Sequence, residues 1–303
     1  MSFFVKRRKT VSVVAVILAA IVLIVAYFGT VGIKKLLSSA KKLSGKGFDI
    51  SQDFVRFLDV GQGDCILIYS NGRSLLLDTA TSNYKNEIAA DLNSCGIDTV
   101  DAVMISHLHT DHTGSLPDIC DNYKIENLIL PELSISSEGM PAAQYAVNAV
   151  TEAGGGVYNA EQGLNFNVGE FEVTVLASYG DFDEVNNQSL FVIAEIDGVK
   201  FMFSGDAESQ AEKRILKEGL NLDCDVFKAG HHGSNTSNTR NFLEAMTPEY
   251  VAISCGEDNM YGHPHDEVTR LYDEMDITAY RTDKSGDITF YVSDGKISVE
   301  TEK

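Results

Sequence analysis

The chain has seven histidines, and all fall in three short clusters at 107/109/112, 231/232 and 263/265. The first cluster, His107-Leu-His109-Thr-Asp111-His112, follows the apolar run Ala102-Val-Met-Ile-Ser106. Alternation along an extended segment sends His107 and His109 to one side. A turn at Thr110 then brings Asp111 and His112 round to a second position nearby. Imidazole and carboxylate are the donors zinc takes, and manganese and iron accept them too. Scattered structural histidines do not cluster in this way, so the spacing points to a metal centre.

Other polar residues stand at the ends of apolar runs. Asp78 closes Leu75-Leu-Leu-Asp78 and has two readings: a cap for the next turn, or a carboxylate that orients the histidine loop. Asp206 closes Phe201-Met-Phe-Ser-Gly-Asp206; it is either a helix N-cap or a carboxylate that bridges metals, and the bridging role is favoured. His231-His232-Gly233-Ser234 follows Val226-Phe-Lys-Ala. Glycine there lets backbone approach a ligand, and the hydroxyls of Ser234 and Thr236 can meet a phosphate or carboxylate. His263 is a candidate to line the same site, whereas His265 reads as exposed. Asn187, in Asn186-Asn187-Gln188-Ser189, is either a turn residue or a polar group of the site.

These residues need a strand-rich scaffold. Strands are expected at Val55–Val60, Cys65–Tyr69, Ser74–Asp78, Ala102–Ser106 and Phe171–Leu176. Leu190–Ile196 and Val199–Phe203 flank Asp197-Gly198, a hairpin turn signal. Further strands are expected at Asp225–Lys228, Tyr250–Ser254 and Ile288–Val292. Helices are expected at Tyr84–Cys95, Ala142–Ala153, Glu208–Glu218, Thr239–Met246 and Asp266–Met275. Two strand-dense halves with interleaved helices imply two sheets packed together and covered by helices. The five cysteines, an odd number without a Cys-x-x-Cys pair, read as small buried hydrophobes.

The order strand-Asp78, His-x-His-x-Asp-His, Gly205-Asp206 and His-His-Gly-Ser resembles the metallo-β-lactamase superfamily from about Phe54 to the C-terminus. Leu58-Asp-Val-Gly-Gln-Gly-Asp64, Asn187-Gln-Ser, His231-His-Gly-Ser and Tyr261-Gly-His-Pro264 are similar to the ComEC type within it, the metallohydrolase domain of bacterial DNA-uptake channels. The resemblance implies an αββα sandwich with the site along one edge of its two sheets. It implies two divalent metal ions, Zn2+ or Mn2+. One is held by His107 and His109. The other is held by Asp111, His112 and His232, with Asp206 shared and His231 left to contact substrate. No histidine lies between His112 and His231, so the third histidine of the first ion's site is missing, and Asn187 sits near its place.

Residues 11–28 carry no charge in 18 positions, long enough to cross a hydrocarbon core of roughly 30 Å. A cleaved signal peptide is the competing reading, but its apolar core is usually about 7–15 residues. We expect a basic tip and anchor over 1–33, a linker over 34–50 and a hydrolase domain over 51–303. Lys6-Arg7-Arg8-Lys9 is expected to stay in the cytoplasm, which puts the domain outside. Residues 1–50 hold nine Lys/Arg and one acid, leaving the rest of the chain near −28. Such a surface lacks the basic footprint of a duplex-binding module.

Two divalent ions lower the pKa of a shared water to about 7 and supply hydroxide at neutral pH. His231, Asn187 or Ser234 would steady the developing charge. The expected activity is hydrolysis of a phosphodiester, DNA or RNA first. The alternatives are a cell-envelope phosphoester, a carbonyl substrate of β-lactam type, and a metal-stabilised binding module without turnover.

Overall fold

A computed structural model describes residues 49–131 and 138–303. The chain divides into two units, Met1–Gly47 and Phe48–Lys303. The expected membrane span and nearly all of the linker lie outside the described residues. Among the described residues no helix is long and apolar enough to cross a membrane.

Central strands of the second unit are buried on both faces, so their period-two alternation separates two apolar sets instead of apolar from polar. The first sheet begins with β1 (Asp53–Phe57), β2 (Ile66–Ser70), β3 (Arg73–Leu77), β4 (Thr99–Met104), β5 (Lys124–Leu130) and β6 (Gly156–Asn159). The second contains β7 (Asn165–Val168), β8 (Phe171–Ala177), β9 (Phe191–Ile196), β10 (Val199–Phe203), β11 (Val226–Lys228), β12 (Tyr250–Ile253) and β13 (Thr278–Arg281). β14 (Ile288–Ser293) and β15 (Lys296–Thr301) return to the first sheet, whose order is β15-β14-β1-β2-β3-β4-β5-β6. The second sheet runs β13-β12-β11-β10-β9-β8-β7. Each sheet is antiparallel on one side and parallel on the other: β3 to β6 in the first, β10 to β13 in the second.

Parallel neighbours need crossovers, and helices supply them. α1 (Lys85–Ser94) joins β3 to β4, the short α2 (Thr110–Thr113) and α3 (Leu116–Asn122) precede β5, and α4 (Met140–Glu152) leads to β6. In the second half α5 (Ser209–Glu218), α6 (Arg240–Met246) and α7 (Asp266–Glu274) do the same, and α8 (Thr282–Ser285) leads towards β14.

The layers follow from which set each side chain joins. Ile66, Ile68, Leu75, Leu77 and Met104 meet Phe171, Val173, Phe201 and Phe203 between the sheets. Leu67, Leu76, Val103 and Ile105 face the other way, onto Ile88 and Leu92 of α1 and Ala143 and Ala146 of α4. Met202, Phe227 and Val251 likewise meet Ala211, Phe242 and Tyr272 on the outer face of the second sheet. The result is helix, sheet, sheet, helix, the expected mixed α/β sandwich. All five cysteines are free thiols, four of them buried among apolar side chains.

Candidate metal centre

Every expected ligand stands just past the carboxyl end of a strand in the parallel half of a sheet, where open α/β folds place their ligands. Asp78 follows β3 and the 107–112 loop follows β4, while Asp206 follows β10 and the 231–232 pair follows β11. Gly205 lets the second sheet's loop come this close. Its backbone is left-handed (φ 51°), and a Cβ there would lie 2.9 Å from the hydroxyls of both Ser106 and Ser189. Ser189 in turn accepts the backbone N–H of Asp206 at 3.0 Å.

Asp78 is buried and acts through other groups. It accepts the backbone N–H and the hydroxyl of Ser106, both at 2.7 Å, and Nδ1 of His112 at 2.8 Å. A carboxylate can only accept here, so Nδ1 of His112 carries a proton, and Nε2 is left bare of any hydrogen-bond partner in the protein. His232 is fixed in the same sense: its Nδ1 donates to the carbonyl of Ser254 at 3.0 Å. Both Nε2 atoms are buried with no hydrogen-bond partner in the protein. Fixing the tautomer through the far nitrogen is what metal-binding histidines require.

The two bare nitrogens face two carboxylates. Oδ2 of Asp206 lies 3.4 Å from Nε2 of His112 and 3.4 Å from Nε2 of His232. Oδ2 of Asp111 lies 3.3 Å from Nε2 of His232 and 3.9 Å from that of His112. All four donor atoms fall within 4.8 Å of one another. Bonds of about 2.0–2.2 Å to a tetrahedral ion make ligand–ligand edges of roughly 3.4 Å. Asp111, His112, Asp206 and His232 therefore fit a divalent ion. Burial opposes the charged ring of His112, but Asp206, Asp78 and Asp111 outweigh it and raise its pKa well above the usual value. His232 is pushed up to about 10: burial again opposes, and Asp206 and Asp64 prevail.

His107 and His109 are arranged differently. Nε2 of His107 lies 3.1 Å from Nδ1 of His109, and its Nδ1 lies 3.1 Å from the hydroxyl of Ser106. Among the described residues neither belongs to a group of three or more donors close enough to share an ion. Burial, with the neighbouring rings of His112 and His109, holds His107 well below the ordinary imidazole range.

The 231–232 loop is held in an uncommon backbone conformation, both histidines being left-handed at φ 48° and 53°. Asn238 secures it. Its Oδ1 accepts the N–H of Gly230 at 2.9 Å and the hydroxyl of Tyr272 at 2.8 Å. Its Nδ2 donates to the carbonyls of Gly230 and Ser234, at 2.8 and 3.0 Å. The buried Glu212 accepts the N–H groups of Asn238 and Thr239.

The expected substrate-facing residues spread round this group. His231 is partly exposed, with Nε2 3.8 Å from Oδ2 of Asp206 and Nδ1 3.3 Å from the hydroxyl of Thr236. Burial lowers its pKa, so its ring is neutral at neutral pH. His263 lies with its ring centroid 5.4 Å from that of His231, and burial together with His231 and His232 lowers its pKa to about 4. The hydroxyl of Ser234 pairs with that of Thr236 at 3.1 Å. Asn187 is fully buried at the start of α5, where its Oδ1 accepts the N–H groups of Glu208 and Ala211 at 3.1 and 3.2 Å and its Nδ2 has no partner. His265 is half-buried and accepts the N–H of Asn235 at 3.0 Å. A cavity of about 430 Å3, lined in part by Gln62, Glu87, Glu257 and Asp283, opens beside His263, whose Nδ1 is 3.3 Å from Nε2 of Gln62.

Asp64 and Lys228 had no assigned part in the sequence reading. Both are 1% exposed and form an ion pair beneath the donor group. The signal available for Lys228 was a charge inside the otherwise apolar strand Val226-Phe-Lys-Ala.

Comparison with known proteins agrees with this geometry. The family model described as "Metallo-beta-lactamase superfamily" matches residues 58–257. The chain is similar to ComE operon protein 3 of Bacillus subtilis, at 28% identity over 79% of this chain and 33% of that protein. It is also similar to competence protein ComA of Neisseria gonorrhoeae, at 30% identity over 80% of this chain and 33% of that protein. It thus spans about a third of the length of these relatives. Among solved structures, the metallo-beta-lactamase fold protein YhfI of Bacillus subtilis superposes with a TM-score of 0.53 at 10% identity, covering 82% of this chain and 100% of that one. The chain belongs to the metallo-beta-lactamase superfamily, as a domain of the kind found in ComEC-type proteins.

Proposed function

We propose that this chain is a metal-dependent phosphodiesterase. The observation that carries the reading is the convergence of Asp111, His112, Asp206 and His232, with two bare imidazole nitrogens, on one buried point. A divalent ion bound there supplies a nucleophile from water near neutral pH and draws charge from a phosphoryl oxygen. Asp78 and the Ser254 carbonyl hold the two imidazoles so that no reorganisation is needed during reaction. His231, neutral and partly exposed beside Asp206, is positioned to donate to a non-bridging phosphate oxygen or to the leaving group. The expected pair of ions stands on unequal ground, since four donors converge for one and only His107 and His109 for the other.

Nucleic acid is the favoured substrate because a competence protein is among the relatives. A second reading is favoured by Asp59, Glu87, Glu257 and Asp283, which together with Lys303 line the cavity that meets His263 through Gln62 and would suit a cationic group of the substrate. A choline- or amine-bearing envelope phosphoester carries such a group. The uncharged span of residues 11–28 supports a membrane anchor carrying the domain outside.

Purified protein loaded with Mn2+ or Zn2+ is expected to cleave bis-nitrophenyl phosphate and leave a chromogenic β-lactam nearly untouched. His231→Ala should lose roughly 100-fold in kcat while keeping its metal. Brisk β-lactam turnover without phosphodiesterase activity under either metal would sink the assignment. Cleavage of the small diester and of choline phosphoesters, with none of single-stranded DNA or RNA, would promote the second reading.

A further inference from the structure

Beneath the donor group lies a cation that belongs to the protein. Lys228 is fully buried in the last position of β11, and a buried lysine is among the rarest of interior residues. Its Nζ pairs with the carboxylate of Asp64, donates to the carbonyl of Gly205 at 3.1 Å and lies 3.6 Å from Oδ1 of Asp206. Asp64 in turn sits 3.5 Å from Nδ1 of His232 and 3.7 Å from Nδ1 of His112. Both ligand imidazoles thus back onto Asp64, and Asp64 backs onto Lys228.

The consequence falls on Asp206. Its Oδ2 faces the two bare nitrogens, while its Oδ1 is turned to the ammonium group. That ammonium stands 3.6 Å from Oδ1, an ion-pair contact without a hydrogen bond, so a second ion drawn to this oxygen would meet a fixed like charge. On the other flank His107 and His109 contact each other and Ser106, with no third donor beside them among the described residues.

We propose that Lys228 is the second cation of this centre: by fixing a positive charge beside Oδ1 of Asp206 it restricts the chain to one tightly held divalent ion, on Asp111, His112, Asp206 and His232. The inference rests on the metal-centre reading above, and Lys228 is a positioning residue that acts through Asp206.

The test counts ions and reads their coupling, independently of activity. Metal-stripped protein is dialysed against excess Mn2+, bound manganese is measured per chain, and the low-temperature electron paramagnetic resonance spectrum is recorded. The wild type should hold one Mn2+ with the spectrum of an isolated ion. His109→Ala should still hold one, with its Kd within about threefold of wild type. Lys228→Met should take up a second ion and show the spectrum of a coupled pair, whereas Lys228→Arg, which keeps the charge, should stay at one. Two ions per wild-type chain, falling to one in His109→Ala, would overturn the proposal even if Lys228→Met does not fold. A folded Lys228→Met variant with one isolated ion would also overturn it. No bound metal in the wild type would instead remove the metal-centre reading on which the proposal stands.

Discussion

His112 and His232 hold extra protons in the metal-free protein, the second with a pKa of about 10. A divalent ion must displace those protons from Nε2, so metal affinity should climb with pH between 6 and 9, by up to about 100-fold per unit when two protons leave. Calorimetry in buffers of different ionisation enthalpy reads the number released, and zero would mean that the free rings are already neutral. The sign reverses for stability without metal. The pKa of His232 is raised from 6.5, so its contribution is fully present below 6.5 and is lost as pH rises through about 10. Chelated protein should therefore melt lower at pH 9 than at pH 7. Asp206→Ala should lose most bound metal at either pH. The candidate donors were legible in the sequence because they are crowded: His107, His109, Asp111 and His112 in six residues, and a histidine pair beside glycine. Asp64, Lys228, Glu212 and Asn238 were not, because each is a single residue whose importance lies in a contact across the fold.

The element that most depends on such a contact is the 231–232 loop. Two left-handed histidines in succession are costly, and Asn238 offsets that cost with four hydrogen bonds, one for each donor and acceptor of its amide. Asn238→Gly keeps the freedom of its left-handed backbone (φ 60°) and removes only the side chain. It should cost about 1–3 kcal/mol by stranding the N–H of Gly230 and the hydroxyl of Tyr272. It should also weaken metal binding at least about tenfold, since ligands lose affinity on this scale when their supports go. Denaturant unfolding and a metal titration check the two parts, and unchanged metal affinity would uncouple the loop from the centre. Elements were legible where apolar runs are continuous. β9 and β10 with their hairpin, and helices α1, α5, α6 and α7, lie within about two residues of their expected limits. β4 was misplaced, starting at Thr99 and ending at Met104, because Ile105 and Ser106 already turn toward Asp78. β6, β7, β13 and β15 gave no signal: they stand at or near sheet edges, where exposed polar residues break the pattern. β5 was hidden by the charges Lys124 and Glu126 in its first half.

At the scale of the whole molecule, the acidic domain follows a basic tip and an uncharged span. Protease added to intact cells stripped of their wall should release the domain, and its protection until lysis would reverse the orientation. The donor group has a further consequence at this scale. Asp111 and His112 come from the first sheet, Asp206 and His232 from the second. An ion between them is a clasp across two leaves, and it can close only when the leaves are at their native spacing. Binding that is specific to the docked form slows its departure and leaves the approach of the separate leaves untouched. In a stopped-flow experiment at fixed denaturant, Mn2+ should slow unfolding at least about tenfold and leave the refolding rate unchanged. An equal effect on refolding would mean that the ion is captured before the leaves meet. With the clasp open, the two leaves keep their apolar interior, the Asp64–Lys228 ion pair and bonds such as that from the N–H of Leu190 to the carbonyl of Ser106, so ambient metal would lengthen the time the sandwich stays shut.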